Sequence, residues 1–128
     1  MGTVILGTGS HLPAKRVTNL DLEEIVDTSD EWIQSRTGIK ARHISGKGEQ
    51  ACNLAAEAAR KALLMAGIGA HELDIIVVAT ISSHMLMPSC ACFVQKEIGA
   101  TKAYAYDVNA ACAGFLYALD LGDKYIQA

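Results

Sequence analysis

Apolar β-branched runs alternating with helical periodicity place this 128-residue chain in the α/β class. Three stretches carry that assignment. Asp74 to Ile81 is a continuous apolar run whose two faces are equally hydrophobic, the mark of a central strand covered by helices on both sides. Cys52 to Gly67 repeats apolar residues at helical spacing. Ala103 to Val108 reads as a strand that runs through small residues into a second helical pattern ending at Ala128.

The totals narrow the function classes. An apolar fraction of 51% suffices for a core, and the length predicts one domain over residues 1–128. A net charge of −3 offers no basic excess for nucleic acid. No stretch approaches the length of a membrane span, and the opening residues carry neither the basic leader nor the long apolar run of a signal peptide. Met1-Gly2 does not make a myristoylation site, because Leu6 stands where Ser or Thr is needed. The cysteines at 52, 90, 92 and 112 form no CxxC pair, and Cys90-Ala91-Cys92 is too tight for a zinc site. No metal is expected, and the thiols read as reduced in a cytoplasmic protein.

In chain order, Thr3 to Leu6 predicts a short strand stopped by Gly7-Thr8-Gly9. That glycine pair lacks the third glycine of a dinucleotide fingerprint and reads as a turn. Thr18, with Asp21 three positions on, caps a short helix through Leu20, Leu22, Ile25 and Val26. Thr28 and Glu31 have capping-box spacing ahead of a helix from Ser29 to Arg36, closed by Gly38. Trp32 and Arg36 are four apart and share a face of it. An aromatic plane beside a guanidinium suits a nucleotide, by stacking and by phosphate hydrogen bonds. A tryptophan packed on its neighbour's stem is the plainer alternative.

Ile39 to Ile44 alternates weakly, as an edge strand or hairpin arm does. The helix from Cys52 to Gly67 sets Leu54, Ala58, Ala62 and Met65 on one face and pairs Glu57 with Lys61 on the other. Its alanines allow a neighbour to come close. After the central strand, Ser82-Ser83-His84 is loop, and Met85-Leu86-Met87 exposes three apolar residues. Pro88 opens a helix to about Ile98, with Gly99 closing it. From Cys112 to Leu119 nothing is charged, so the last helix is expected to bury its first two turns.

Cys112 lies where strand turns to helix, among Ala110, Ala111, Ala113 and Gly114. Unpaired N–H groups and the positive end of a helix dipole favour a thiolate there, and small neighbours leave room for a substrate. That is the setting of a covalent nucleophile. A free cysteine acting as a small buried hydrophobe is the competing reading.

Four blocks in order give the chain a family resemblance: Gly7-Thr8-Gly9-Ser10-His11-Leu12-Pro13, Asp27-Thr28-Ser29-Asp30-Glu31-Trp32-Ile33, Arg36-Thr37-Gly38-Ile39 and Ala110-Ala111-Cys112-Ala113-Gly114-Phe115. Together they resemble β-ketoacyl-acyl-carrier-protein synthase III, from Met1 to Ala128. The resemblance implies a thiolase-like fold: a layered mixed sheet with helices on both faces, one half of an αβαβα body that is usually a homodimer. It implies an acyltransferase that takes an acyl group from acyl-CoA onto Cys112 and condenses it with malonyl-acyl-carrier protein, starting type II fatty-acid synthesis. Coenzyme A thioester is then a substrate, with no resident cofactor.

By the same resemblance, Thr28, Trp32, Arg36 and Thr37 hold coenzyme A. Met87 reaches the partner's acyl pocket across the dimer, where the family often has Phe. The family's catalytic His and Asn lie beyond the matched part, and none of His11, His43, His71 or His84 corresponds to that histidine. The chain is therefore expected to be an N-terminal half that needs its C-terminal half for condensation. Starter enzymes of polyketide or alkylquinolone synthesis, hydroxymethylglutaryl-CoA synthase, and a non-catalytic dimerisation or assembly half remain alternatives.

Overall fold

The structure is a computed structural model that describes residues 2–128. The chain divides into two compact units, one formed by the N-terminal residues to His11 with Gln50–Ala128, the other by Leu12–Glu49.

In the larger unit, helix α3 (Ala51–Ala66; α1 and α2 belong to the smaller unit) precedes strand β3 (Ile75–Ala79), helix α4 (Cys90–Ile98), strand β4 (Tyr104–Val108) and helix α5 (Gly114–Gln127). β3 and β4 pair in parallel, Ile75 opposite Tyr104 through Ala79 opposite Val108. A parallel pair needs a crossover, and α4 supplies it. Ile76 and Val78 pack on a core of Cys52, Ala56, Cys90 and Val94 from α3 and α4. Ile75 and Val77 point the other way, lining a cleft with Gly122, Tyr125 and Ile126 of α5. The strand is thus apolar on both faces because helices lie on both, as its sequence requires.

Thr3 to Leu6 forms no strand, contrary to expectation. Val4 to Leu6 line a cleft of about 520 Å³ with Ile75–Val77, and the segment has no ladder partner among the described residues. What fixes the segment is α3. A Cβ on Gly7 would lie 2.3 Å from the Ala62 carbonyl oxygen, and one on Gly9 2.1 Å from that of Ala58. The glycine pair exists for this close approach rather than for a turn. It explains the alanine face of α3, where the Thr8 N–H also donates to the Met65 sulfur at 3.2 Å. The opposite face differs from the expected pairing: Glu57 pairs with Arg60, while Lys61 donates to the Ser10 carbonyl at 2.7 Å.

α4 starts after Ser89, whose hydroxyl accepts from the Cys92 N–H, so Pro88 precedes the cap instead of opening the helix. Gly99 closes α4 in the left-handed conformation, as predicted, and Gly67 does the same for α3 just past its last residue. The first turns of α5 are not buried: Phe115 is 70% exposed, and Leu116 and Tyr117 are exposed beside it. An uncharged run shows that cover is needed without supplying it.

The smaller unit holds β1 (Lys15–Thr18), α1 (Asn19–Glu23), α2 (Asp30–Thr37) and β2 (Ala41–Ile44). β2 is the expected hairpin arm, and its antiparallel partner is β1, Lys15 opposite Ile44. Thr18 caps α1 in a full capping box with Asp21, but the helix ends at Glu23, leaving Ile25 and Val26 outside it and exposed. No helix of the described residues is long and apolar enough to cross a membrane.

Candidate active site

The turn carrying Cys112 is held at both ends. On the strand side, the Thr80 N–H donates to the Val108 carbonyl at 3.2 Å. One residue earlier, the Asp107 carboxylate accepts from the N–H groups of Cys90 and Ala91, at 2.7 and 2.8 Å. Those are the first two residues of α4, so a charged side chain of β4 caps that helix against its dipole. On the helix side, Gly114 lies so close to β3 that a Cβ there would meet the Ala79 Cβ at 3.0 Å.

Between these anchors Ala111 has φ 44°, the one non-glycine residue with positive φ among those described. An alanine held there costs roughly 1 kcal/mol, and such strain concentrates at functional turns. Cys112 follows within a single 3-10 turn, Ala111–Ala113, two residues ahead of α5 rather than in its first turn. It is exposed. The 3-10 turn runs straight into α5: the Ala113 N–H donates to the Ala110 carbonyl at 3.0 Å and the Gly114 N–H to that of Ala111, while Ala113 at the N-cap position offers no side-chain acceptor.

The other thiols are placed differently. Cys52 and Cys90 are buried and Cys92 is half-buried. Burial, then the Asp107 charge and Cys52, push the Cys90 thiol up to about 11, which keeps it protonated. Cys92 accepts from the Ser89 hydroxyl at 3.2 Å. His84 lies 3.9 Å from Cys52 and edge-on to Phe93, and His43 bonds the Pro13 carbonyl at 2.6 Å. Among the described residues, no hydrogen bond joins a histidine to Cys112.

In the smaller unit, α2 carries the other predicted cluster. Ser29 is its cap, accepting from the Trp32 N–H, so the cap falls one residue later than the Thr28–Glu31 spacing suggests. Thr28 instead lines a cleft of about 360 Å³ with Asp27, Ser29 and Trp32. Trp32 is 57% exposed, and the Arg36 guanidinium carbon lies 6.0 Å from its ring centre. Thr28, Trp32 and Arg36 thus come together. The Thr37 hydroxyl closes the helix, donating to the Ile33 carbonyl and accepting from the Ile39 N–H. Met87, 85% exposed, stands in the apolar loop ahead of α4.

Two residues escape sequence reasoning. Asp107 looked like one more letter of the cysteine block. Asn19 is 1% exposed and donates from one amide nitrogen to the Asp30 carboxylate at 2.8 Å and the Ile39 carbonyl at 2.7 Å. Its oxygen accepts from Arg42 at 2.7 Å. The amides of Asn19 and Gln34 hold the Asp30 carboxyl below its ordinary value. The signal available was a polar residue directly after a cap, with an Asp and an Arg within hairpin reach.

No protein-family model matches the chain. It is 65% identical over 126 residues to a β-ketoacyl-[acyl-carrier-protein] synthase III of Desulfotalea psychrophila, covering 98% of this chain and 39% of that one. It is 51% identical over 128 residues to the protein of the same name from Aquifex aeolicus, covering 100% of this chain and 41% of the other. Among solved structures, 3-oxoacyl-[acyl-carrier-protein] synthase III from Aquifex aeolicus superposes with a TM-score of 0.94 at 50% identity, over 98% of this chain and 41% of that one. A priming β-ketosynthase of the R1128 polyketide pathway superposes with a TM-score of 0.88 at 36% identity, over 93% and 36%. The chain spans about two fifths of the length of the curated relatives it matches.

Proposed function

Because the chain belongs to the β-ketoacyl-acyl-carrier-protein synthase III family, as an N-terminal part of the thiolase-like fold, we propose that it supplies the acyl-accepting half of a starter condensing enzyme. The observation that carries this is the exposed Cys112 on a strained turn that leads directly into α5.

The Cys112 thiolate attacks the acyl-CoA carbonyl, backbone N–H groups of the turn take up the charge on the oxygen, and the C–S bond to coenzyme A breaks. The acyl group stays on Cys112 and coenzyme A leaves as the thiol. Malonyl-acyl-carrier protein then loses CO2, and its enolate carbon attacks the acyl-cysteine, releasing Cys112 and a 3-oxoacyl product. Stabilising that enolate needs donors besides the turn, the task of a His and an Asn in the part of the family fold that residues 1–128 do not span.

Trp32 stacks the base of coenzyme A and Arg36 pairs with its phosphates, with Thr28 and Thr37 beside them. Met87 shapes the acyl pocket across a homodimer, and the reaction is cytoplasmic. Polyketide starter synthesis stays the second reading, supported by the priming ketosynthase at 36% identity against 65% for the fatty-acid relative.

Iodoacetamide labelling of the folded chain at neutral pH tests the nucleophile. Cys112 should be modified before Cys52, Cys90 and Cys92, read by peptide mass. Labelling led by any of the other three removes Cys112 from its role.

A further inference from the structure

Helix α2 presents an unusual problem of support. It is eight residues long, too short to persist alone in water, and none of its residues is buried. Apolar packing therefore does not fix the direction in which Trp32 and Arg36 point. Polar tethers at its first turn do. The Asp30 N–H donates to Glu23 at 2.6 Å, and the Asp30 carboxylate takes the Asn19 amide on one oxygen and the Gln34 amide on the other.

Of these partners only Asn19 is buried, and it alone ties α2 to the hairpin, through Arg42 of β2 and the Ile39 carbonyl. Its backbone N–H adds a bond to the Lys40 carbonyl at 3.3 Å. A buried amide with every hydrogen-bonding group engaged admits one geometry and resists substitution.

Resting on the coenzyme A reading of Trp32 and Arg36, we infer that Asn19 is the positioning residue of that site: it fixes the stacking ring through Asp30 without touching the ligand. Stacking gains strength only from a ring already held in place, so a loosened α2 weakens binding before it unfolds anything else.

The experiment is calorimetric titration with coenzyme A of a full-length enzyme carrying these residues, for the unaltered protein and for Trp32→Ala, Asn19→Asp and the double variant Asn19→Asp/Asp30→Asn. Asn19→Asp keeps the size and the acceptor for Arg42 but sets a carboxylate oxygen against both Asp30 and the Ile39 carbonyl. The double variant restores a donor–acceptor pair between the same two positions. Asn19→Asp should weaken coenzyme A about tenfold or more, the loss of one base–aromatic stacking contact. The double variant should recover a measurable part of that loss, since the pair between positions 19 and 30 returns while the Ile39 carbonyl still lacks its donor, with the Cys112 alkylation rate unchanged in both.

Undiminished affinity in Asn19→Asp makes Asn19 a fold residue only and overturns the inference. So does a double variant that folds, by circular dichroism, yet binds as weakly as the single one. Absence of binding in the unaltered full-length enzyme, or full affinity in Trp32→Ala, overturns the coenzyme A reading itself and the inference with it.

Discussion

Removing the Asp107 carboxylate should cost this chain about 3 kcal/mol of stability. Its two oxygens take the N–H groups of Cys90 and Ala91 at 2.7 and 2.8 Å, and both of those residues are 0% exposed. Charge-assisted bonds contribute roughly 1.5–3 kcal/mol each, and a buried donor left alone loses about 1–3 kcal/mol of hydration. Asp107→Ala leaves two such donors, partly relieved because Asp107 is only half-buried and water can enter. Asp107→Asn keeps one acceptor and turns an NH2 group toward the other N–H, so it should lose roughly half as much. Urea unfolding followed by far-ultraviolet circular dichroism reads both, the alanine variant shifting the midpoint at unchanged slope. A loss under about 1 kcal/mol in Asp107→Ala would refute the argument that this carboxylate, rather than the Ser89 cap, holds the helix beside the Cys112 turn.

Three further outcomes follow from named groups. In a full-length enzyme carrying these residues, Met87→Phe should change which acyl-CoA chain lengths are accepted while acetyl transfer survives; an unchanged profile puts Met87 outside the pocket. Asp21, Asp30 and Asp123 all titrate below the ordinary 3.8 because hydrogen bonds stabilise their charged forms, from Thr18, Asn19 and Thr3 first. Their contribution is fully present above that value and is lost as pH falls through the lower folded values, so the urea midpoint should drop as the pH is taken below about 4; a flat midpoint there counts against these bonds. Val4, Ile5, Leu6, Phe115 and Leu116 are all exposed, and large apolar patches of this kind drive association. The isolated chain should therefore self-associate in sedimentation and form no 3-oxoacyl product, and a strictly monomeric chain that condenses unaided would contradict the half-enzyme reading.

The features legible in the sequence are those that short-range chemistry decides. Gly38, Gly67 and Gly99 end their helices because a left-handed residue is needed there, and Trp32 and Arg36 meet because four residues make one helical turn. The illegible ones depend on partners far along the chain. Lys15–Thr18 carries no strand pattern of its own and becomes β1 only because Ala41–Ile44 returns to pair with it. Thr3–Leu6 shows the converse, a good strand pattern with no ladder to join. Asn19 and Asp107 follow the same logic at side-chain level. Each looks like an ordinary polar residue after a cap or near a strand end, and its importance lies in hydrogen-bond partners 11 to 23 residues away. Cys112 shows both sides at once. Its small neighbours are visible locally, whereas its exposure depends on Gly114 meeting Ala79 and on Asp107 reaching α4. A nucleophile can therefore be located from its own turn, but the groups that hold the turn in place are found only by asking where each buried polar atom finds its partner.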